Sequence, residues 1–166
     1  EITYLQYTGQ QNRVMTMNLD SGQRQVIGDF GGKTFAPRFS PDGTRLVMSV
    51  DEGGAISLVE FDLRSRQPRR LTQTDRIDTG PCYSPDGRQI VFAASGDGGS
   101  RLWVRPLDTT AAQPLAGTDG ASFPFWSPDS RSIGFFADGQ LKRLDLSGGV
   151  PQTLAPASSG RGGTWS

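Results

Sequence analysis

Pro37-Arg38-Phe39-Ser40-Pro41-Asp42-Gly43 recurs with few changes at two later places in this chain of 166 residues. The other copies are Pro81-Cys82-Tyr83-Ser84-Pro85-Asp86-Gly87 and Pro124-Phe125-Trp126-Ser127-Pro128-Asp129-Ser130, and Gly163-Thr164-Trp165-Ser166 matches the start of a fourth. The motif serines follow one another at steps of 44, 43 and 39 residues. Repeats of this length are typical of four-stranded propeller blades. The spacing therefore predicts an all-β fold, a β-propeller with four blades in the chain.

Each copy of the motif is followed by three further stretches with the pattern of a strand. Apolar runs predict a buried second strand at 46–48, 90–92 and 133–136. A third strand is predicted at 56–62, 102–108 and 141–145, and a short fourth strand around Leu71, Leu115 and Leu154. The N-terminal residues supply the same three elements at 2–7, 14–20 and 24–27. The predicted blades span 36–73, 80–116 and 123–156, with a first blade made of 1–30 and 163–166.

The first blade is predicted to receive its inner strand from the C-terminal residues 163–166. A blade built from both ends of a chain joins the first and last blades by main-chain hydrogen bonds and removes an exposed sheet edge. The strand comes either from the same chain or from a partner chain.

The Ser-Pro-Asp-Gly motif has the composition of a tight turn. Proline presets φ, aspartate accepts bonds from nearby amides, and glycine adopts positive φ without a steric cost. Because the Ser and Asp recur in every copy, we interpret them as structural and predict no catalytic residue among them. The aromatic residue before each serine is predicted to pack between blades; these residues are Phe39, Tyr83, Trp126 and Trp165.

Composition argues against several classes of function. Lys plus Arg and Asp plus Glu number 17 each, so no net charge would attract nucleic acid. There is no histidine and a single cysteine, Cys82, which excludes Ser-His-Asp and Cys-His mechanisms, an internal disulfide and a cysteine-based zinc site. The sequence contains no run of 18 apolar residues, so no membrane-inserted segment is predicted. The sequence predicts a protein that is not an enzyme and holds no cofactor or metal.

Candidate binding residues are predicted in the loops that differ between repeats. The turns that follow the inner strands are nearly identical, whereas the loops at the opposite face vary, and varied loops on a rigid scaffold are the usual carriers of recognition. The residues predicted to bind at this varied face are Lys33, Phe35, Arg76, Asp78, Asp119 and Arg161. Ordinary solvated loops are the alternative interpretation.

The Pro-x-aromatic-Ser-Pro-Asp-Gly repeat resembles the TolB-like propellers, with the nearest likeness in residues 1 to about 93. This resemblance implies a periplasmic scaffold for protein partners such as the lipoprotein Pal. Residues from about 100 onward resemble the propellers of bacterial membrane Ser/Thr kinases. The difference between the two segments suggests a recombined or engineered chain, a chimera without a selected ligand.

The resemblance also bears on assembly and on the alternative functions. TolB-type blades turn by about 60° each, so four blades leave an open arc. We expect a homodimer of eight blades, with a closed four-blade monomer as the alternative. The alternative functions are a ligand-sensing fragment of a membrane kinase and an accessory propeller of a peptidase.

Overall fold

The structure is a computed structural model that describes residues 1–8, 11–28, 30, 32–73 and 75–165. The described residues form strands, turns and irregular segments, and none of them belongs to a helix that could cross a membrane. The strands are β1 (Ile2–Thr8), β2 (Gln11–Met17), β3 (Arg24–Gly28), β4 (Lys33–Phe39), β5 (Arg45–Asp51), β6 (Ile56–Asp62), β7 (Gln67–Arg70), β8 (Ile77–Tyr83), β9 (Gln89–Gly96), β10 (Gly99–Pro106), β11 (Gln113–Pro114), β12 (Ser122–Trp126), β13 (Ser132–Ala137), β14 (Gln140–Asp145) and β15 (Gln152–Pro156).

The strands form four antiparallel sheet units in chain order. Sheet unit 1 is β1–β3, unit 2 is β4–β7, unit 3 is β8–β11 and unit 4 is β12–β15. A single parallel pair, Ile56 with Ile77, links units 2 and 3 into one continuous sheet. The all-β fold predicted from the repeat is confirmed, whereas the number of blades in the closed assembly stays a prediction.

The predicted strands differ from the observed ones mainly at their ends. β6 has the predicted bounds, but β10 begins at Gly99 and ends at Pro106, because its hairpin with β9 extends to the pair of Gly99 with Gly96. The fourth strands β7 and β11 end before Leu71 and Leu115. The amides of these two leucines still donate to the carbonyls of Leu58 and Leu102, at 2.7 and 2.8 Å.

The Ser-Pro-Asp-Gly turn is held by its serine and aspartate side chains. Asp42 Oδ1 accepts from the Ser40 hydroxyl at 2.5 Å and from the Thr44 amide at 3.1 Å, and Ser40 Oγ accepts from the Arg45 amide at 2.9 Å. The same bonds recur around Ser84 and Ser127. Ser130 replaces the glycine of the third copy and keeps the left-handed φ of 59°. The turn function predicted for the motif therefore matches the observed hydrogen bonds.

Hydrogen bonding shifts the ionisation of the turn aspartates. The Ser40 hydroxyl, followed by the Thr44 amide and hydroxyl, lowers the pKa of Asp42 to about 2. Hydrogen bonds from Ser84 and Ser127 likewise lower the pKa of Asp86 and Asp129. Because these bonds favour the ionised carboxylate, the turns are strongest when the aspartates are charged.

The hydrophobic core lies between neighbouring units as three successive clusters. In β5, Leu46 and Met48 pack in the cluster shared with unit 1, whereas Val47 packs in the cluster shared with unit 3. In β9, Ile90 and Phe92 face unit 2, and Val91 belongs to the cluster with unit 4. Side chains of a strand alternate between its two faces. A strand covered on both faces therefore shows the continuous apolar runs seen in the sequence.

The aromatic residue before the motif serine packs against the preceding unit, as predicted. The buried Tyr83 hydroxyl donates to Glu60 Oε1 of unit 2 at 2.8 Å. Burial and the adjacent Glu60 charge raise the pKa of Tyr83, so its hydroxyl remains a donor. The buried Trp126 Nε1 donates to the Cys82 carbonyl of unit 3 at 3.0 Å.

The C-terminal segment lies against unit 4. Trp165 stacks at a tilt on Phe125, with 6.3 Å between ring centroids, and the Arg143 guanidinium lies 5.8 Å from the Trp165 ring. A Cβ on Gly163 would stand 2.5 Å from Phe125 Cζ, so the close approach requires glycine. Residues 161–165 form no strand and pair with no described residue of β1, and Ser166 lies outside the described residues. Completion of unit 1 by this segment stays a prediction.

Candidate binding site at the inner strands

The first strand of units 2, 3 and 4 carries a β-bulge at the same repeat position. The register against the second strand shifts between Phe35 and Arg38 in β4, between Thr79 and Cys82 in β8, and between Ser122 and Phe125 in β12. A bulge bends its strand and redirects a side chain, and bulges are frequent beside functional sites.

Each bulge contains a residue with left-handed backbone, four positions before the motif serine. The φ angles are 49° at Ala36, 61° at Gly80 and 50° at Phe123. Gly162, which occupies the same position before Ser166, has φ of 137°. Glycine adopts such angles freely, whereas a residue with a Cβ does so at a cost of roughly 1 to 2 kcal/mol. Ala36 and Phe123 are therefore strained at positions where the repeat also uses glycine.

The bulges line a cavity of about 550 Å³ between the inner strands, which we term the axial cavity. Its walls are formed by Phe35, Ala36, Arg38, Ile56, Thr79, Gly80, Pro81, Cys82, Ser122, Phe123, Pro124, Phe125, Arg161, Gly162 and Gly163. A volume of this size is in the range of ligand and peptide-anchor pockets. Phe123 is 46% exposed although it is large and apolar. The cavity thus presents an unburied aromatic side chain on a strained backbone.

The charged residues of the axial cavity are both cationic. Arg38 and Arg161 are exposed, and Arg38 Nη1 donates to the Pro37 carbonyl at 3.0 Å. None of the lining residues is Asp or Glu. A group with negative charge is therefore favoured over a positive one in this cavity.

Cys82 lies in the same wall but is not an activated thiol. Burial raises the pKa of Cys82, more than the nearby Arg38 charge lowers it. A reactive cysteine requires the opposite shift, because the thiolate is the nucleophile. The arrangement is thus suited to binding through apolar and cationic contacts.

The structure divides the predicted binding residues among separate places. Phe35 and Arg161 line the axial cavity. Arg76 and Asp78 lie in a second cavity of about 400 Å³ between units 2 and 3, which we term the inter-unit groove. Asp119 pairs with Arg101 on the surface, and Lys33 is exposed at the start of β4. The six residues therefore do not form one site, and their role in binding stays a prediction.

Phe123, Arg38 and Phe125 line the axial cavity but were not among the predicted binding residues, and Phe123 is the more exposed of the two aromatic residues. It stands immediately before Pro124, as Ala36 and Gly80 stand before Pro37 and Pro81. Gly80 stands four residues before its motif serine, where the other copies have Ala36 and Phe123. The glycine was the sequence signal that this repeat position has a positive φ. The bulge itself depends on the pairing of two strands and cannot be predicted from the local sequence.

Comparison with known proteins places this architecture in a family. The family model described as TolB beta propeller domain matches residues 1–166. The chain is 39% identical, over 81% of its length, to the Tol-Pal system protein TolB of Gluconobacter oxydans (strain 621H), and the alignment covers 40% of that protein. The match extends over both segments that the sequence analysis distinguished, and a recombined origin stays a prediction.

Solved structures are similar to this one in fold. The crystal structure of TolB from Acinetobacter baumannii superposes with a TM-score of 0.78 at 23% identity, covering 93% of this chain and 40% of that one. The tricorn protease superposes with a TM-score of 0.61 at 15% identity, covering 80% of this chain and 14% of that one. At these identities the likeness concerns the propeller fold alone. The chain spans about two fifths of the length of the Gluconobacter and Acinetobacter TolB proteins.

Proposed function

Because this chain belongs to the TolB β-propeller domain family, we propose that it is a non-catalytic scaffold that binds a protein partner at the axial cavity. The observation that carries the proposal is Phe123, a half-exposed aromatic residue held at φ of 50° on the bulge of β12. Aromatic anchors at the centre of an interface commonly supply most of its binding energy. Backbone strain is retained where surrounding structure and function fix it.

The lining of the cavity indicates the chemistry of the partner. Phe35, Phe123 and Phe125 offer apolar contact, and Arg38 and Arg161 offer positive charge. The matching partner is a segment that inserts an apolar side chain and carries carboxylates beside it. Rim charges of this kind mainly accelerate association and select the partner, whereas the buried apolar contact supplies affinity.

The name of the relative gives the partner class to test first. The Gluconobacter protein is named as a component of the Tol-Pal system, so we propose a Pal-type lipoprotein as the partner and the periplasm as the compartment. The resemblance to TolB-like propellers points to the same partner.

The test is a calorimetric titration of the chain with the soluble domain of Pal from Gluconobacter oxydans. Phe123→Gly removes the aromatic side chain while leaving a residue that accepts the left-handed backbone, so the fold is retained. We expect this variant to bind at least tenfold more weakly, as for loss of an interface anchor. Phe35→Ala should weaken binding in the same direction.

Val150→Ala is the matched control, since Val150 is 82% exposed and lies outside the axial cavity. Equal affinity of Phe123→Gly and the unaltered chain would exclude the axial cavity as the interface. Absence of binding by the unaltered chain would exclude Pal as the partner.

We further propose that a second copy of the chain completes unit 1. β1 pairs with β2 along one edge, and no described residue pairs with its other edge. A free edge of seven residues is a template for strand addition. Mass measurement in solution tests this assembly: a mass of two chains that falls to one on deletion of 163–166 supports strand exchange. A single-chain mass for the unaltered protein contradicts it.

A further inference from the structure

A buried arginine occupies a core position of unit 3. Arg105 in β10 pairs with Ile90, as Phe61 pairs with Leu46 in unit 2 and Leu144 pairs with Ile133 in unit 4. Phe61 and Leu144 are buried apolar residues, 4% and 5% exposed, and Arg105 is equally buried at 6%. Of these three units, unit 3 thus has a cation where units 2 and 4 have a hydrophobic core residue.

Arg105 has hydrogen bonds but no counter-charge at contact distance. Its Nε and one terminal nitrogen donate to the Thr109 carbonyl at 3.2 and 3.1 Å. Among the described residues, no carboxylate lies within ion-pair distance of its guanidinium. Desolvation lowers the pKa of Arg105, and the adjacent Arg69 acts in the same direction, whereas the buried Glu60 carboxylate, beyond contact distance, acts against them. Charged side chains are seldom buried without a partner of opposite charge.

Two further arginines line the inter-unit groove beside Arg105. The Arg76 guanidinium lies 4.3 Å from the centre of the Trp103 ring, on the same wall. The stem of Arg76 passes over Gly96, where a Cβ would stand 3.2 Å from Arg76 Cγ. Arg70 is fixed by an ion pair with Glu52 and donates to Ser57 Oγ at 3.1 Å. These contacts hold the guanidinium groups in place before any ligand arrives.

The inter-unit groove is large enough for a small organic molecule. Its volume is about 400 Å³, and Phe92, Trp103 and Leu71 supply apolar surface. Among the described lining residues, Arg70, Arg76 and Arg105 are cationic and Asp78 is anionic, and the charge of Arg70 is balanced by Glu52. The excess of positive charge and the planar wall favour an anion that is flat or partly apolar.

We propose that the inter-unit groove is a second binding site, separate from the axial cavity, for a small anion bearing a carboxylate or phosphate group. The anion's oxygens accept from Arg105 and Arg76, and its remaining atoms lie against the apolar lining of the groove. Such a ligand supplies a negative charge at contact distance from Arg105, which the more distant Glu60 does not. The site is independent of the partner proposed at the axial cavity, so either can fail without the other.

The test compares thermal unfolding of the unaltered chain and of Arg105→Leu, the residue that unit 4 carries at this position. Midpoints are measured in sodium chloride, sodium phosphate and sodium succinate at equal ionic strength, because general screening depends on ionic strength. For the unaltered chain we expect phosphate or succinate at a hundredfold excess over Kd to raise the midpoint by about 5 °C. Whichever anion acts at the lower concentration identifies the favoured group.

Arg105→Leu should lose this response while its midpoint in chloride equals or exceeds that of the unaltered chain, because the desolvation cost of a buried guanidinium is removed and Glu60 keeps its ion pairs with Arg45 and Arg69. Arg101→Leu, on the same strand but paired with Asp119 outside the groove, is the matched control and should keep the response. Arg76→Gln should weaken the response without altering the core.

Three results would overturn the proposal. One is the absence of a shift with either anion. Another is an equal shift in the unaltered chain and in Arg105→Leu, which would indicate a general salt effect. The third is a response retained by both Arg105→Leu and Arg76→Gln, which would place the anion elsewhere.

Discussion

The turns at one end of the inner strands and the bulges in their middle repeat in different ways. The turns keep both their residues and their hydrogen bonds at Ser40, Ser84 and Ser127. The bulges keep their backbone angles, but the residue at the strained position is Ala36, Gly80 or Phe123. The shared Ser-Asp hydrogen bonds in units 2, 3 and 4 serve the fold. At the bulges the backbone angles are retained while the side chains vary. One unit can therefore differ from the next at this position without loss of the fold.

The two regions should respond differently to substitution. A turn residue is fixed by several polar bonds, so its removal leaves buried groups without partners. A bulge residue is fixed by its backbone, so the sign of its effect depends on whether a Cβ is added or removed. The experiments below separate these two behaviours, in order of decreasing effect.

The largest effect is expected for Ser84→Ala. Ser84 is fully buried, its hydroxyl donates to Asp86 and its oxygen accepts from the Gln89 amide. Loss of this hydroxyl leaves the Gln89 amide without its partner and leaves Asp86 with the Arg88 amide alone, so it should lower the free energy of unfolding by about 2 kcal/mol. Chemical denaturation measures the change.

Ser147→Ala is the matched control for that turn, because Ser147 bonds Asp145 in an exposed turn. We expect a change below about 0.5 kcal/mol there. If both variants lose the same free energy of unfolding, the Ser-Pro-Asp-Gly turn stabilises the fold no more than the exposed turn at Ser147 does.

An intermediate effect, with opposite signs at two equivalent positions, is expected in the bulges. A Cβ on Gly80 meets only Pro124 Cδ at 3.9 Å, so Gly80→Ala changes the backbone energy and not the packing. The backbone cost of roughly 1 to 2 kcal/mol is partly offset by the lower entropy of the unfolded chain with alanine, so the net destabilisation of the chain should be about 0.5 to 1 kcal/mol. Ala36→Gly should stabilise it by about 0.5 kcal/mol for the same reason.

Denaturation of these two variants and of the double variant measures the backbone contribution. The double variant should lie close to the unaltered chain, because the two sites act through their own backbones. Destabilisation by both single changes would show that side-chain contact, and not φ, governs the bulge.

The smallest effect is expected in the acid range for Asp42→Asn. The pKa of Asp42 is lowered to about 2 from an ordinary value of 3.8, so the folded state binds its proton less readily than the unfolded state. The corresponding stability is complete above the ordinary pKa and is lost as the pH falls through about 2. Because the carboxylate is half exposed, solvent screening keeps the contribution below about 1 kcal/mol.

Unfolding free energies from about pH 5 to about pH 2 should therefore decline less steeply in Asp42→Asn than in the unaltered chain. Asp97→Asn, in the hairpin between β9 and β10, is the control for loss of a carboxylate outside the Ser-Pro-Asp-Gly turn. If Asp42→Asn does not change the slope of the unfolding free energy against pH, the Asp42 carboxylate does not contribute to the stability of the turn.

Local sequence was sufficient for the turns and for the approximate positions of most strands, but not for the ends of β10 or for the fourth strands β7 and β11. The bounds of β6 and the bonds of Ser40 with Asp42 depend on residues that are near neighbours in the chain. The candidate sites were harder to predict from sequence. Phe35 and Arg161 come from different units and line one cavity, whereas Lys33 and Asp119 lie outside it. Loop variation identified positions that differ, but cavities form between strands that are far apart in sequence.

The sequence by itself determined the repeat, its register and the tight turns, since each follows from backbone preferences of residues within one motif. Only the tertiary structure decided that Phe123 stands exposed in the axial cavity and that Arg105 is buried beside the inter-unit groove. Strand register determines which face a side chain occupies, and a bulge changes that register. The packing of neighbouring units then determines which of these faces remain open to a ligand.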